Sequence, residues 1–126
     1  LTMSIKPQFG MVLEYVTDIE ATTRFYTDVL GLEVERSHPT FVQFSNFAIA
    51  SDESLSGTRE RELYWIVDNA QAAFDELASQ AEITLPLTQK PFGKVFGIND
   101  PSGQPIYVLE WARQRPRQTI GAQGSG

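Results

Sequence analysis

The feature that most constrains this chain is an internal repeat. The run VTDIEA at 16–21 returns as VDNAQA at 67–72, at an offset of 51 residues. Each copy follows an extended apolar stretch and opens a helical pattern. In the first, Ile19, Thr22, Phe25, Tyr26, Val29 and Leu30 recur at helical spacing; in the second, Ala70, Ala73, Phe74, Leu77 and Ala78 do. Asp18 and either Asp68 or Asn69 are suited to cap the helix starts, and Gly31 to end the first helix.

Extended segments flank both helices. Residues 10–16 and 62–67 precede them; 33–36, 41–44 and 47–50 follow the first, and 85–89, 94–98 and 106–111 follow the second. Each half therefore reads as strand, helix and three strands. The expected fold class is α+β: two βαβββ repeats with curled mixed sheets forming a cleft, and helices on the outer faces. Residues 1–111 form the expected single domain, with modules at about 9–50 and 61–111 and a polar linker at 51–60. Residues 112–126 lack apolar periodicity and read as a flexible tail.

Composition excludes several classes. Cysteine is absent, so disulfides, thiolate catalysis and zinc–thiolate sites are out. All 16 acidic residues and seven of the ten Lys and Arg precede residue 112, giving that body a net charge of −9, while Arg113, Arg115 and Arg117 fall in the tail. An acidic body repels phosphate backbones, so no nucleic-acid partner is expected, and it attracts cations. No apolar run reaches the ~20 residues a membrane span needs, so no membrane partner is expected. Leu1–Gly10 shows no secretory signal pattern, and a cytoplasmic location is the expectation.

The runs YVTDIEATTRFYTDVLGLEV (15–34), ELYWIVD (62–68) and DPSGQPIYVLE (100–110) resemble the vicinal oxygen chelate superfamily, which includes glyoxalase I, extradiol dioxygenases and bleomycin-resistance proteins. The resemblance covers residues 9–111. It implies four ligand positions for a divalent metal, two on the first strands of the halves and two on the last. Here Met11, Glu62 and Tyr107 fall on three of them, and the fourth lies among Ile49, Ala50 and Ser51. A thioether and a neutral phenol are poor ligands for a hard divalent ion, so neither a metal nor any other cofactor is expected, and no catalytic residue is assigned. His38, the one histidine, reads as an exposed residue of the Ser37–Pro39 turn.

Strand alternation from positions 11, 62 and 107 sorts the cleft floor: Met11, Leu13, Tyr15, Glu62, Tyr64, Tyr107, Leu109 and Trp111. Phe92 is expected over its mouth, with Phe41, Phe44 and Phe47 nearby; Leu63, Trp65 and Val67 are expected beneath the second helix. Glu14 points to the helix-covered face, at a strand end or dimer contact. A carboxylate among aromatic rings suits a flat ligand bearing positive charge, with Tyr64 or Tyr107 available to hydrogen-bond it. The resemblance thus points to a metal-free binding protein of the bleomycin-resistance kind, sequestering a cationic or aromatic toxic compound, as in antibiotic resistance. The alternatives are a metal-dependent glyoxalase-like lyase or dioxygenase, and a metal-free enzyme with Glu62 as base and Tyr107 as acid. Fourteen aromatic side chains (8 Phe, 4 Tyr, 2 Trp) exceed the needs of one small core, so a homodimer is expected.

Overall fold

The structure, a computed structural model, describes residues 5–112. The elements in chain order are β1 (Gln8–Tyr15), α1 (Ile19–Arg24) running into a π-helical turn (Phe25–Val29), β2 (Arg36–His38), β3 (Phe41–Gln43) and β4 (Phe47–Ala50). The second half follows as β5 (Glu62–Ile66), α2 (Ala70–Leu77), β6 (Ile83–Lys90), β7 (Gly93–Asn99) and β8 (Pro105–Trp111). This is an α+β fold. The tail, with its three arginines, lies outside the described residues from 113 onward.

The two halves join edge to edge in one open mixed sheet, ordered β2-β3-β4-β1-β5-β8-β7-β6. Within each half the first and last strands are parallel, β1 with β4 and β5 with β8; the halves meet through antiparallel β1 and β5. Val12 opposes Leu63 across that junction, and these two residues are 51 apart, so the repeat offset brings each to the other's place. Leu13 opposes Glu62 and Met11 opposes Tyr64, exchanging in the same way. A two-fold pseudo-axis therefore passes between Val12 and Leu63.

Both helix starts are capped as the sequence implies. The Asp18 carboxylate accepts from the Ala21 amide (3.0 Å) and the Asn69 side chain from the Ala72 amide (3.0 Å). The first helix departs from one continuous α pattern: beyond Arg24 its turn widens, with the Leu30 amide donating to the Phe25 carbonyl five residues back. Gly31 then ends it at φ +77°, and the Leu32 amide closes the cap on the Tyr26 carbonyl. The widening accompanies a helix that buries none of its residues fully.

Three clusters sort by strand parity. Val42, Phe44 and Ile49 pack with Tyr26 and Phe47 under α1, and Val67, Phe96, Ile98 and Val108 pack with Ala70, Ala73 and Phe74 under α2. The third occupies the helix-free face. Its burial requires curvature: Phe41 on β3 lies 6.3 Å from Trp111 on β8, measured between ring centroids. Four strand spacings separate those strands in the sheet, about 19 Å if flat. The sheet therefore curls until its first half meets β8 across the trough.

Several expectations need correction. The strand placed at 33–36 lies at Arg36–His38, and His38, though exposed, pairs with Phe41 as part of it. Phe44 and Phe47 belong to the α1 side: Phe44 is of opposite parity to Phe41, and Ile49 fixes Phe47 on the helix-covered face. Leu63 and Trp65 are not under α2. Leu63 is 39% exposed, and Trp65 packs edge-on to Phe9 at 5.4 Å, because α2 lies over β6–β8 rather than over β5.

Candidate functional site

Strands β1, β4, β5 and β8 run side by side at the centre of the trough and set its floor by alternation. Met11, Leu13, Ala48, Ala50, Tyr64, Val95, Tyr107 and Leu109 are buried there, with Tyr15, Phe41, Leu55, Leu85 and Trp111 packed around them. Gly97 opposes Tyr107 on β7, and a Cβ there would lie 3.0 Å from the Tyr107 ring, so the glycine makes room for that ring.

Glu62 is the buried charged residue of this face, 3% exposed. Its Oε1 accepts from the Tyr15 hydroxyl (2.6 Å) and the Tyr64 hydroxyl (2.9 Å), and its Oε2 accepts from the Ser56 amide (3.1 Å). Three donors satisfy the carboxylate without a cation, as a buried acid requires. Tyr64 also stacks on Tyr107, with centroids 5.4 Å apart and planes at 28°. Burial, reinforced by the Glu62 carboxylate, pushes the Tyr15, Tyr64 and Tyr107 phenols above their ordinary value. They remain protonated donors at neutral pH.

Of the residues expected on the cleft floor, Met11, Leu13, Tyr15, Glu62, Tyr64, Tyr107, Leu109 and Trp111 share this face. Most of them are covered rather than open. Phe92 lies in the turn between β6 and β7, 39% exposed and outside the buried cluster, with its carbonyl accepting from the Ala112 amide just after β8 (2.8 Å). The partners of Glu62 are Tyr15 and Tyr64 rather than Tyr107, so the base–acid pair of Glu62 and Tyr107 is not assembled. Glu14 faces the α1 side as expected, where it accepts from the Tyr26 hydroxyl (3.1 Å) and pairs with Arg61 (3.2 Å).

Sequence reasoning missed the segment between the halves. Leu55 packs into the buried face, Ser56 reaches Glu62, and the Arg59 guanidinium stands 5.7 Å from the centroid of the Tyr15 ring. A lone leucine among serines in an otherwise polar linker was the available signal. Two hollows flank this segment. One, of about 490 Å³, is lined by Glu14, Tyr15, Arg59, Glu60 and Arg61; the other, of about 270 Å³, reaches Glu62 past Ser56, Thr58 and Asp100. At the far end of the trough the Arg36 guanidinium covers Trp111 at 4.1 Å.

The superfamily's metal positions can be tested on this geometry. Register places Ala48 opposite Leu13 as it places Tyr107 opposite Tyr64, so the fourth position is Ala48 and not one of residues 49–51. Met11, Ala48, Glu62 and Tyr107 offer one hard anionic donor, and its two oxygens already accept three hydrogen bonds. Among the described residues no group of three or more His, Cys, Asp or Glu comes together elsewhere. This donor set does not fit a catalytic divalent ion.

Comparison with known proteins agrees on the fold. A search of curated proteins finds no match. Among solved structures, a protein described as an NAD-dependent benzaldehyde dehydrogenase from Legionella pneumophila superposes with a TM-score of 0.68 at 24% identity, covering 81% of this chain and 98% of that one. A glyoxalase/bleomycin resistance protein/dioxygenase superfamily member from Vibrio splendidus 12B01 gives 0.59 at 20% identity, covering 85% and 99%. The 2,3-dioxygenase LapB from Pseudomonas sp. KL28 gives 0.56 at 14% identity, covering 86% of this chain and 44% of that one. At these identities the likenesses establish the fold alone. The Glyoxalase-like domain family matches residues 9–111, nearly the whole described chain, and the chain belongs to that family within the vicinal oxygen chelate superfamily.

Proposed function

We propose that this chain is a metal-independent binding protein that sequesters a small, flat, positively charged compound, with Glu62 as the anchoring anion. The observation that carries this reading is the Glu62 carboxylate itself. It is buried beneath tyrosine rings and held by hydroxyls and one amide, and among the described residues no Lys, Arg or His forms an ion pair with it. For stability alone an apolar side chain would serve as well or better in such a place. A cation stacked on Tyr15, Tyr64 or Tyr107 would meet both ring faces and the carboxylate in a medium of low effective dielectric. The acidic body would raise the local concentration of such a ligand.

The test is calorimetric titration of wild type and Glu62→Gln with a panel of cationic aromatic antibiotics, in chelator and at two ionic strengths. Micromolar or tighter binding is expected for at least one compound, weakened ten- to a hundredfold in the variant, about 1–3 kcal/mol. No binding across the panel, or equal affinity in both proteins, overturns the assignment.

A further inference from the structure

The segment that joins the halves behaves chemically like a ligand of the face it covers. Leu55 supplies an apolar group to the buried cluster, and the Ser56 amide gives Glu62 Oε2 an N–H donor at 3.1 Å. Arg59 supplies a cation near the Tyr15 ring, whose hydroxyl is bonded to the other Glu62 oxygen. We propose that residues 54–59 are a displaceable lid, and that the ligand takes its place with a matching set of groups: a flat apolar body, an N–H donor and a positive charge. This rests on the reading of the trough as a cation site.

The lid holds its own shape through internal hydrogen bonds and meets the body through groups that a ligand can replace. Several of its hydrogen bonds are internal: Gly57 amide to Ser54 carbonyl (3.3 Å), Arg59 amide to Ser54 hydroxyl (3.1 Å), and Ser56 hydroxyl with Thr58 hydroxyl (2.8 Å). It meets the trough through the Ser56 amide on Glu62, Arg59 Nη2 on the Val16 carbonyl (3.2 Å), the Leu55 backbone with the Tyr15 hydroxyl, and the Ser56 side chain with the Tyr107 hydroxyl. Its backbone is also under tension, since Arg59 sits at φ +62°, a left-handed conformation that a non-glycine residue adopts at a cost. The 490 Å³ hollow opens beside Arg59 and is lined by Glu14, Glu60, Arg59 and Arg61, with Glu14 paired to Arg61. An incoming cation has space there, and once Arg59 leaves, the two carboxylates outnumber the remaining Arg61. Binding then draws on the fraction of molecules with the lid raised, and the apparent affinity is reduced by that fraction.

The experiment uses proflavine, a planar monocation with amino N–H donors, in fluorescence titrations of wild type, Arg59→Gly and Arg61→Gln, together with hydrogen exchange at the Ser56 amide. Glycine at 59 accepts φ +62°, so that variant keeps the segment's backbone geometry while removing its cation. Arg61→Gln removes a neighbouring charge that does not touch the Tyr15 ring. The lid predicts that Arg59→Gly binds about five- to tenfold tighter than wild type, that Arg61→Gln gains clearly less, and that bound proflavine speeds exchange at Ser56. Equal gains in both variants would mark simple electrostatics and overturn the lid, as would Ser56 protection that persists in the complex. In either case proflavine binding by wild type would leave the cation site standing. Binding by Arg59→Gly alone supports the lid in its strongest form. Binding by none of the three removes the cation site and the lid with it.

Discussion

Replacing Tyr64 by Phe tests whether Glu62 is held by the donors the structure assigns to it. The ring is 2% exposed and its stack on Tyr107 survives the change, so the variant loses one oxygen and one bond of 2.9 Å to a carboxylate. A hydrogen bond to a charged group is worth about 1.5–3 kcal/mol, and no water easily replaces it at this depth. Tyr15→Phe removes a shorter bond, 2.6 Å, yet Tyr15 is only half-buried and water can take over its donor role. That variant is expected to cost about 0.5–1.5 kcal/mol. Burial therefore outranks bond length, and the order of the two variants is itself the prediction. Urea unfolding followed by tryptophan fluorescence, with unchanged denaturant slopes, measures both. In the Glu62→Gln background the cost of Tyr64→Phe should shrink by about 1 kcal/mol, the coupling a shared bond requires. A Tyr64→Phe cost below about 0.5 kcal/mol, or below that of Tyr15→Phe, would refute the reasoning.

The remaining predictions concern ionisation, metal and assembly. All four tyrosines are shifted upward, first by burial and then by Glu62 or, for Tyr26, Glu14. The folded chain therefore keeps phenol protons that the unfolded chain releases above about pH 10, and stability that is intact below that pH falls as pH rises, by up to about 1.4 kcal/mol per unit for a residue as buried as Tyr64. The phenolate absorbance contributed by Tyr15 and Tyr64, taken by difference from their Phe variants, should grow only together with loss of the circular dichroism signal; titration of either near pH 10 in folded protein would contradict this. Purified protein should carry no stoichiometric divalent metal and show the same melting temperature with and without chelator; one equivalent of Zn²⁺, Mn²⁺, Ni²⁺ or Fe²⁺, lost on chelation with loss of stability, would reverse the donor-set argument. The chain is also expected to form a homodimer, since Phe25, Val29, Leu30, Leu32 and Val34 leave a strip of exposed apolar surface along and after the π-helical turn. Light scattering that gives a 14 kDa species at micromolar concentration would count against it.

What the sequence made legible followed from periodicity and repetition. The offset of 51 survives as the pseudo-axis at Val12 and Leu63, and the parity of positions 11, 62 and 107 places eight floor residues on one face. Parity fails where a turn intervenes. Phe41 and Phe47 lie on different strands separated by the bend at Ser45 and Asn46, and no alternation within one strand carries across it. Residues Leu63 and Trp65 were misplaced for a different reason: alternation says which face a side chain takes but not how far a helix reaches over that face. The widened turn after Arg24 has no pattern of its own, because Phe25, Val29 and Leu30 keep helical spacing while staying exposed. The linker was the larger loss. Its polar composition describes the outward side of the segment, whereas its contacts with the site come from one leucine, one arginine and a backbone amide, and the amide leaves no trace in composition.

The central claim is that the helix-free face holds a cationic aromatic ligand on Glu62 without metal, and its most direct test is a ¹H–¹⁵N correlation titration with proflavine in excess chelator. The account predicts saturable shifts at one site per chain, concentrated on β1, β5, β8 and residues 54–59 and abolished or shifted to much higher ligand concentration in Glu62→Gln. Shifts confined to the helix-covered face, or shifts that appear only when a divalent metal is supplied, would contradict it.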